Sequence, residues 1–487
     1  MSTRAERWFA FLALLALAAI VCGAFALTAI ETIGTGFPLD DAWIHQTYAR
    51  NLGLRGEWAY LPGVPSAGST SPLWTALLAL GYHLGIGPYA WVEACGVLLL
   101  AATAYVGSRW VGARSPHLGR LSWVAGALLV LEWHLIWAGL SGMETLAQAF
   151  AILLVLYALE VRWPPLVIGL LVGAGVWIRP DALLLLVPIG WVLGVEGRQK
   201  LLGAARRLMA VGVGVAVLFL PYLGFNLMLG GQAWPSTFYA KQAEYAVGLG
   251  RPLALRLAEQ WSVGLVGVGA VLAAGFVASI WFDATSKRWA RLAPAIWWLA
   301  FLAAYAVRLP VTYQHGRYAM PAIPVLVLLG AEVMLTAVLR ASGKGARLLS
   351  RAWVMAALAT AIAFLVPGAR AYSQDVAIIE TEMVATARWI AANTERGDLI
   401  AAHDIGAVGY FSDRTLIDLA GLISPEVIPF VRDEARLAAY LQARGADYLM
   451  TFPGWYPRLV EGRTPVYRST ATYAPAAGGE NMAVYPW

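Results

Sequence analysis

Apolar runs of 14 to 23 residues recur through the first 369 positions, separated by short polar stretches rich in arginine. A hydrocarbon core about 30 Å thick asks roughly 17–25 such residues of a helix. The runs lack the period-2 alternation of a barrel strand, so helices are the spanning element. Eleven spans are expected, at 8–30, 88–108, 121–139, 144–160, 165–178, 181–196, 207–229, 262–282, 292–308, 318–339 and 351–368. Those at 165–178 and 181–196 are short and are interrupted by Arg179-Pro180-Asp181. Segment 8–30 is too long for a signal-peptide core and has no polar cleavage region, so it reads as a retained anchor.

Between the first two runs the pattern changes. Over 41–55, Ile44, Tyr48 and Leu52 form one stripe while Asp41, His45 and Arg50 lie off it, the pattern of an interfacial helix. Pro62, Pro65 and the Gly-Ser-Thr-Ser-Pro run ending at Pro72 predict a loop, and 73–84 is a juxtamembrane or re-entrant helix. Past Pro367 helical and strand-like patterns alternate: helix at 380–393, strands at 398–402 and 415–418, helix at 433–444, strand at 448–451. The expected organisation is a transmembrane domain over 1–369, with 31–72 as its first outer loop, and a small α/β domain over 370–487.

Composition agrees. Of 487 residues 60% are hydrophobic and 13% charged, with 22 tryptophans and a mean hydropathy of +0.64, which excludes a soluble globular chain. The net charge of +6 does not imply a nucleic-acid partner, because the basic residues sit in clusters between apolar runs and report topology. Arg4 and Arg7 put the N-terminus in the cytoplasm. Eleven spans then place Arg109/Arg114/Arg120, Arg162, Arg198/Lys200/Arg206/Arg207, Lys287/Arg288/Arg291 and Arg340/Lys344/Arg347/Arg351 inside, and the α/β domain outside. The chain is thus expected to be a multi-pass protein of the cell membrane. Cys22 and Cys95 lie in apolar runs and suggest no disulfide.

The outer connections collect the polar residues that could do chemistry: Asp40-Asp41, His45, Arg50, Glu144, Arg179 with Asp181, Lys241, and His315-Gly-Arg317-Tyr318. Glu93, Glu132 and His134 lie within spans toward their outer ends. Acids beside a membrane with arginine, lysine and histidine suit attack of a hydroxyl on a lipid-linked phosphate ester: a carboxylate takes the proton and cations stabilise the departing phosphate. Each residue also has a structural reading. Asp40 and Asp41 could cap a helix, Arg317 could snorkel, Arg179 and Asp181 could pair, and His403-Asp404 could mark a strand end. Asp41 and His45, four apart, could share a divalent metal ion, but two ligands do not make a site.

In ordered array, Asp40-Asp41-Ala, Tyr48-Ala-Arg50-Asn51-Leu, Thr70-Ser-Pro-Leu-Trp74, Gly142-Met-Glu144-Thr, Arg179-Pro-Asp181, Pro235-Ser-Thr-Phe-Tyr-Ala-Lys241 and His315-Gly-Arg317-Tyr318 resemble the GT-C glycosyltransferases, most of all the branch with the arabinofuranosyltransferases. The resemblance implies a polytopic enzyme that moves sugar from a polyprenyl-phosphate donor to a glycan, lipid or protein hydroxyl on the extracytoplasmic side, with inversion. It implies Asp40 as general base with Asp41 close behind. Arg317, His315 and Lys241 are then expected at the donor phosphate, supported by His45, Arg50, Glu144, Arg179, Asp181 and Tyr318. A transporter or flippase is the alternative from another class, but it should show repeat symmetry and midplane polar groups. A lipid-linked glycan ligase would lean on arginine and histidine rather than an acidic pair.

Overall fold

The computed structural model describes residues 4–197 and 201–487, so Arg198 and Lys200 of the expected inner clusters lie outside the described residues. Among them, eight helices are long and apolar enough to cross a membrane, from Ala5–Thr32 to the 50-residue Lys344–Asn393. A ninth span arises if Pro116–Val130 and Trp133–Leu140, bent by 59°, act together. The chain is a multi-pass membrane protein. All eleven expected spans fall on apolar helices or on that bent pair; two of them, Thr145–Glu160 and Pro165–Ile178, are only 16 and 14 residues long.

Short helices survive here by packing. Pro165–Ile178 lies on Leu201–Gly230 with backbones in contact: a Cβ on Gly169 would stand 2.2 Å from the Val211 carbonyl oxygen, and one on Gly214 2.3 Å from that of Leu166. Small residues let membrane helices approach this closely. The bend before Trp133 is built by Glu132, which leaves the helical region and accepts a hydrogen bond from the Leu135 N–H (3.1 Å). Its other oxygen meets His134 Nδ1 at 2.8 Å. The pair Glu132 and His134 is therefore a helix cap and its partner.

Sequence reading placed a two-faced helix at the membrane surface over 41–55. The helix is there, Asp40–Arg55, closed by left-handed Gly56 (φ 71°), but Asp40, Trp43, His45, Gln46, Thr47 and Tyr48 are all buried. The side that carries Asp40, Trp43 and Arg50 is covered by the short helix Gly406–Phe411 of the C-terminal region, with Trp43 against Tyr410 and Phe411 at ring separations of 4.7 and 4.6 Å. Amphipathicity reports two environments, and here the second is protein.

The C-terminal region forms a five-stranded sheet in the order Thr415–Asp418, Leu399–Ala402, Tyr448–Thr451, Ala483–Pro486, Tyr467–Arg468. The first three strands are parallel and the last two pairings antiparallel. The expected helices and first three strands are present; the strands at Tyr467–Arg468 and Ala483–Pro486 escaped sequence reading. No linker separates this region from the membrane part. The helix Lys344–Ile378 runs on through a π turn, Ile379–Val384, into Ala385–Asn393. Within the turn, buried Glu382 accepts from Met482 N (2.8 Å) and Asn481 Nδ2 (3.0 Å), tying sheet to helix.

Candidate active site

A cavity of about 410 Å3 opens where the helix Asp40–Arg55 meets the ends of the apolar helices. Asp41, His45, Glu144, Arg179, Asp181, Lys241, Arg317 and Tyr318 line its polar side. Opposite lies an apolar wall that includes Leu183, Leu184, Trp234, Phe238 and Leu309. Eight of the eleven residues singled out from sequence thus converge on one space.

Asp41 and Arg317 stand at its centre. Arg317 Nη2 donates to Asp41 Oδ2 (2.5 Å) and to the Tyr318 hydroxyl (3.0 Å). Burial alone would raise the Asp41 pKa, but the charges of Arg317 and Lys241 outweigh it and hold the carboxyl at about 2. Arg317 is 4% exposed, yet its Nε and Nη1 have no hydrogen-bond partner. Buried donors are ordinarily satisfied; the guanidinium lies over the rings of Tyr318 and Tyr313, at 4.9 and 5.7 Å from their centroids.

The backbone that presents Arg317 is unusual. Gln314, His315 and Gly316 take successive left-handed conformations (φ 53°, 57° and 71°), which cost about 1–2 kcal/mol for each residue with a Cβ. Gly316 has no substitute, since a Cβ there would meet Val263 at 2.4 Å.

A second layer fixes the remaining groups. Arg179 Nη1 donates to Glu144 (2.6 Å) and Nη2 to the Tyr305 hydroxyl (3.1 Å), while Tyr305 donates to Asp181. Gln148 also donates to Asp181 (2.6 Å). His45 is held between Thr75 (3.1 Å from Nδ1) and Glu144 (3.3 Å from Nε2). Lys241 Nζ lies 3.3 Å from Glu244, which in turn meets His403 Nε2 at 3.4 Å. Tyr305, near the end of its apolar helix, was missed in sequence; a lone tyrosine at a helix end gives no signal beyond that of a membrane-interface residue.

Three expected site residues lie elsewhere. Asp40, 6% exposed, is absent from the cavity wall; its carboxylate accepts from the N–H groups of Gly406 (2.7 Å) and Ala407 (2.8 Å) and clamps the C-terminal region. Burial, then the nearby charge of Asp404, raises its pKa well above the ordinary value, against the pull of those N–H groups. Arg50 donates to the Tyr410 carbonyl (2.9 Å) and covers its ring at 4.3 Å. His315 Nε2 is bound to Asp375 at 2.8 Å, outside the cavity lining. His403 closes the strand Leu399–Ala402 and bonds the Tyr456 hydroxyl at 2.7 Å. Among the described residues no three His, Cys, Asp or Glu side chains converge as metal ligands, and His45, offered above as partner to Asp41, has both ring nitrogens engaged.

The fold is shared with solved structures of two other proteins. The chain aligns with the crystal structure of ArnT from Cupriavidus metallidurans bound to undecaprenyl phosphate at a TM-score of 0.59 and 15% identity, over 96% of this chain and 97% of that one. It aligns with the oligosaccharyltransferase AglB of Archaeoglobus fulgidus, in complex with an inhibitory peptide and a dolichol-phosphate, at 0.60 and 13%, over 92% and 70%. The mycobacterial arabinofuranosyltransferase AftD aligns at a TM-score of 0.47 and 16% identity, over 96% of this chain and 39% of that one. No curated protein matches by sequence. A family model described as a domain of unknown function, DUF8728, matches residues 371–485.

Proposed function

We propose that this protein is a membrane glycosyltransferase that takes a sugar from a polyprenyl-phosphate donor and delivers it, with inversion, to an acceptor hydroxyl on the extracytoplasmic side. The observation that carries the reading is Arg317: a buried guanidinium in the cavity lining, beside a carboxylate, whose Nε and Nη1 have no hydrogen-bond partner. Planar arginine donors match phosphate oxygens. The apolar wall suits the first isoprene units of the carrier, and the GT-C fold agrees with such a donor.

Asp41 is our choice for the general base, in place of Asp40. The acceptor oxygen forms a bond to the anomeric carbon as the bond from that carbon to the phosphate oxygen breaks. The bonding pair leaves with the phosphate, steadied by Arg317, and the acceptor proton passes to Asp41. A carboxylate held at about 2 is a weak base. Phosphate at the free edge of Arg317 neutralises the charge that holds it there, so donor binding raises the basicity of Asp41 when it is needed. Lys241, Glu144 with Arg179, and His45 keep the polar wall in place.

The test is transfer of radiolabel from a panel of polyprenyl-phosphate sugars to cell-envelope acceptors, using membranes with and without the protein. Transfer lost with both Arg317→Ala and Asp41→Asn supports the reading. No transfer from any donor, with labelled lipid merely moved across the bilayer, would assign the cavity to transport.

A further inference from the structure

The unusual turn before Arg317 needs a restraint, and it has one. His315 Nε2 bonds Asp375 Oδ2 at 2.8 Å, and the same oxygen accepts from Trp137 Nε1 at 2.9 Å. The imidazole stands edge-on to two indoles, Trp133 and Trp137, with ring separations of 5.3 and 5.4 Å at angles of 74° and 77°. Trp133 is itself fixed by donation to the Val266 carbonyl (2.9 Å). Two separate helices therefore grip this one side chain: Trp133–Leu140 and Lys344–Ile378. Left-handed backbone at residues with a Cβ persists only where surroundings over-determine it. Among the described residues no hydrogen bond to the Gln314 side chain does so: its Oε1 atom is buried without a partner.

We infer that His315 and Asp375 form a latch that holds the left-handed turn Gln314–Gly316 and thereby aims the free edge of Arg317 into the cavity. His315 is then a positioning residue, with no contact to the phosphate. This rests on the phosphate-binding role proposed for Arg317. It also assigns a purpose to Asp375, which sequence reading passed over inside a long helix.

Electrostatics gives the latch a distinctive sign. Removing a carboxylate near an anion site strengthens anion binding by Coulomb attraction alone. A latch predicts the reverse, because Asp375→Leu frees the turn and Arg317 loses its aim.

The full-length protein and the variants His315→Ala, His315→Gln, Asp375→Leu and Arg317→Ala are placed in lipid nanodiscs. Amide exchange is followed over 312–319, where Gly316 N–H bonds Thr312 O (2.9 Å) and Ala319 N–H bonds Gly316 O (2.7 Å), and binding of a polyprenyl phosphate is measured in parallel. Exchange should quicken by about tenfold or more in His315→Ala and Asp375→Leu, with binding weakened by about tenfold. Glutamine places an amide donor where Nε2 stands and keeps the bond to Asp375, and the neighbouring Gln314 already takes the left-handed conformation, so His315→Gln should stay near wild type in both. Adding His315→Ala to Arg317→Ala should cost nothing more. Unchanged exchange in Asp375→Leu, tighter binding in that variant, or a further loss on the Arg317→Ala background would each overturn the latch. If the wild type binds no polyprenyl phosphate, the donor reading fails while the exchange data still decide the latch. If Asp375→Leu does not fold, the exchange contrast between His315→Ala and His315→Gln decides it.

Discussion

Asp41 Oδ2 and Arg317 Nη2 meet at 2.5 Å across 276 positions of sequence. The pair joins the helix after the first span to the turn before a late one, at the wall of the one cavity that gathers the polar residues of this face. Both partners keep unused capacity: Arg317 Nε and Nη1 have no hydrogen-bond partner and the Asp41 side chain is 25% exposed.

Arg317→Lys tests whether geometry or charge matters. Lysine keeps the charge but loses the planar fork, and a charge-assisted hydrogen bond is worth about 1.5–3 kcal/mol. Donor kcat/KM should fall by roughly ten- to a hundredfold, and further for Arg317→Ala. Near-wild-type kinetics with lysine would remove Arg317 from the phosphate.

The acidic pair should divide its duties. Asp41→Asn should lower transfer by about 10²–10⁴-fold in a normally folded protein. Asp40→Asn sets an amide N–H against the N–H groups of Gly406 and Ala407, at a cost of about 1–3 kcal/mol. Its effect should appear as a lower melting temperature and faster proteolysis of the C-terminal region, with a smaller loss of turnover. A loss of 10² or more in Asp40→Asn without loosening, about the size of a lost base, would return that role to Asp40.

The pH profile follows from the sign of the Asp41 shift. Its pKa in the empty site is depressed to about 2, so the carboxylate stays ionised, and the Asp41–Arg317 pair contributes stability, until pH falls through the usual carboxylate range toward that value. The free enzyme sets the acid limb of kcat/KM and the bound complex sets that of kcat. If donor phosphate draws Arg317 away, the limb of kcat should lie at higher pH than that of kcat/KM. Coincident limbs would show that donor binding leaves the ion pair intact.

Far from the cavity, Arg114 is 4% exposed and donates to Glu332 (2.9 Å), Asp283 (2.9 Å) and Glu160 (3.3 Å). Arg291 shares Asp283 and Glu332. Arg114→Met would take the cation from Glu160 and leave Asp283 and Glu332 to Arg291 alone, and breaking a buried ion pair from one side costs about 3–5 kcal/mol. The melting temperature should drop sharply, measured by intrinsic fluorescence in detergent. A change within a degree or so would show the network is hydrated rather than buried.

Much of this was legible in the chain. Apolar runs mark the long helices because a bilayer penalises any exposed backbone group, leaving little choice but helix. The strands at 399–402, 415–418 and 448–451 could be read because branched and aromatic residues cluster between turn signals. The two-residue strand Tyr467–Arg468 could not, since a segment so short has no period. Arg114 looked like one of several inner-loop arginines; its three carboxylate partners come from helices 46 to 218 positions away.

The sequence by itself determined a membrane-embedded helical protein with a small α/β region, and a set of polar residues gathered near helix ends. Only the tertiary structure decided what each one does. Asp40 and Asp41 are neighbours in the chain, but successive residues on an α-helix point about 100° apart. One turn therefore sends Asp40 to the C-terminal region and Asp41 to the cavity. His315 and Arg317 differ likewise, one turned to Asp375 and the other to Asp41. Local pattern fixes which residues are polar. Which way each side chain faces, and whether a buried charge is met by a carboxylate, an N–H group or an open space, depends on segments hundreds of residues apart that only packing brings together.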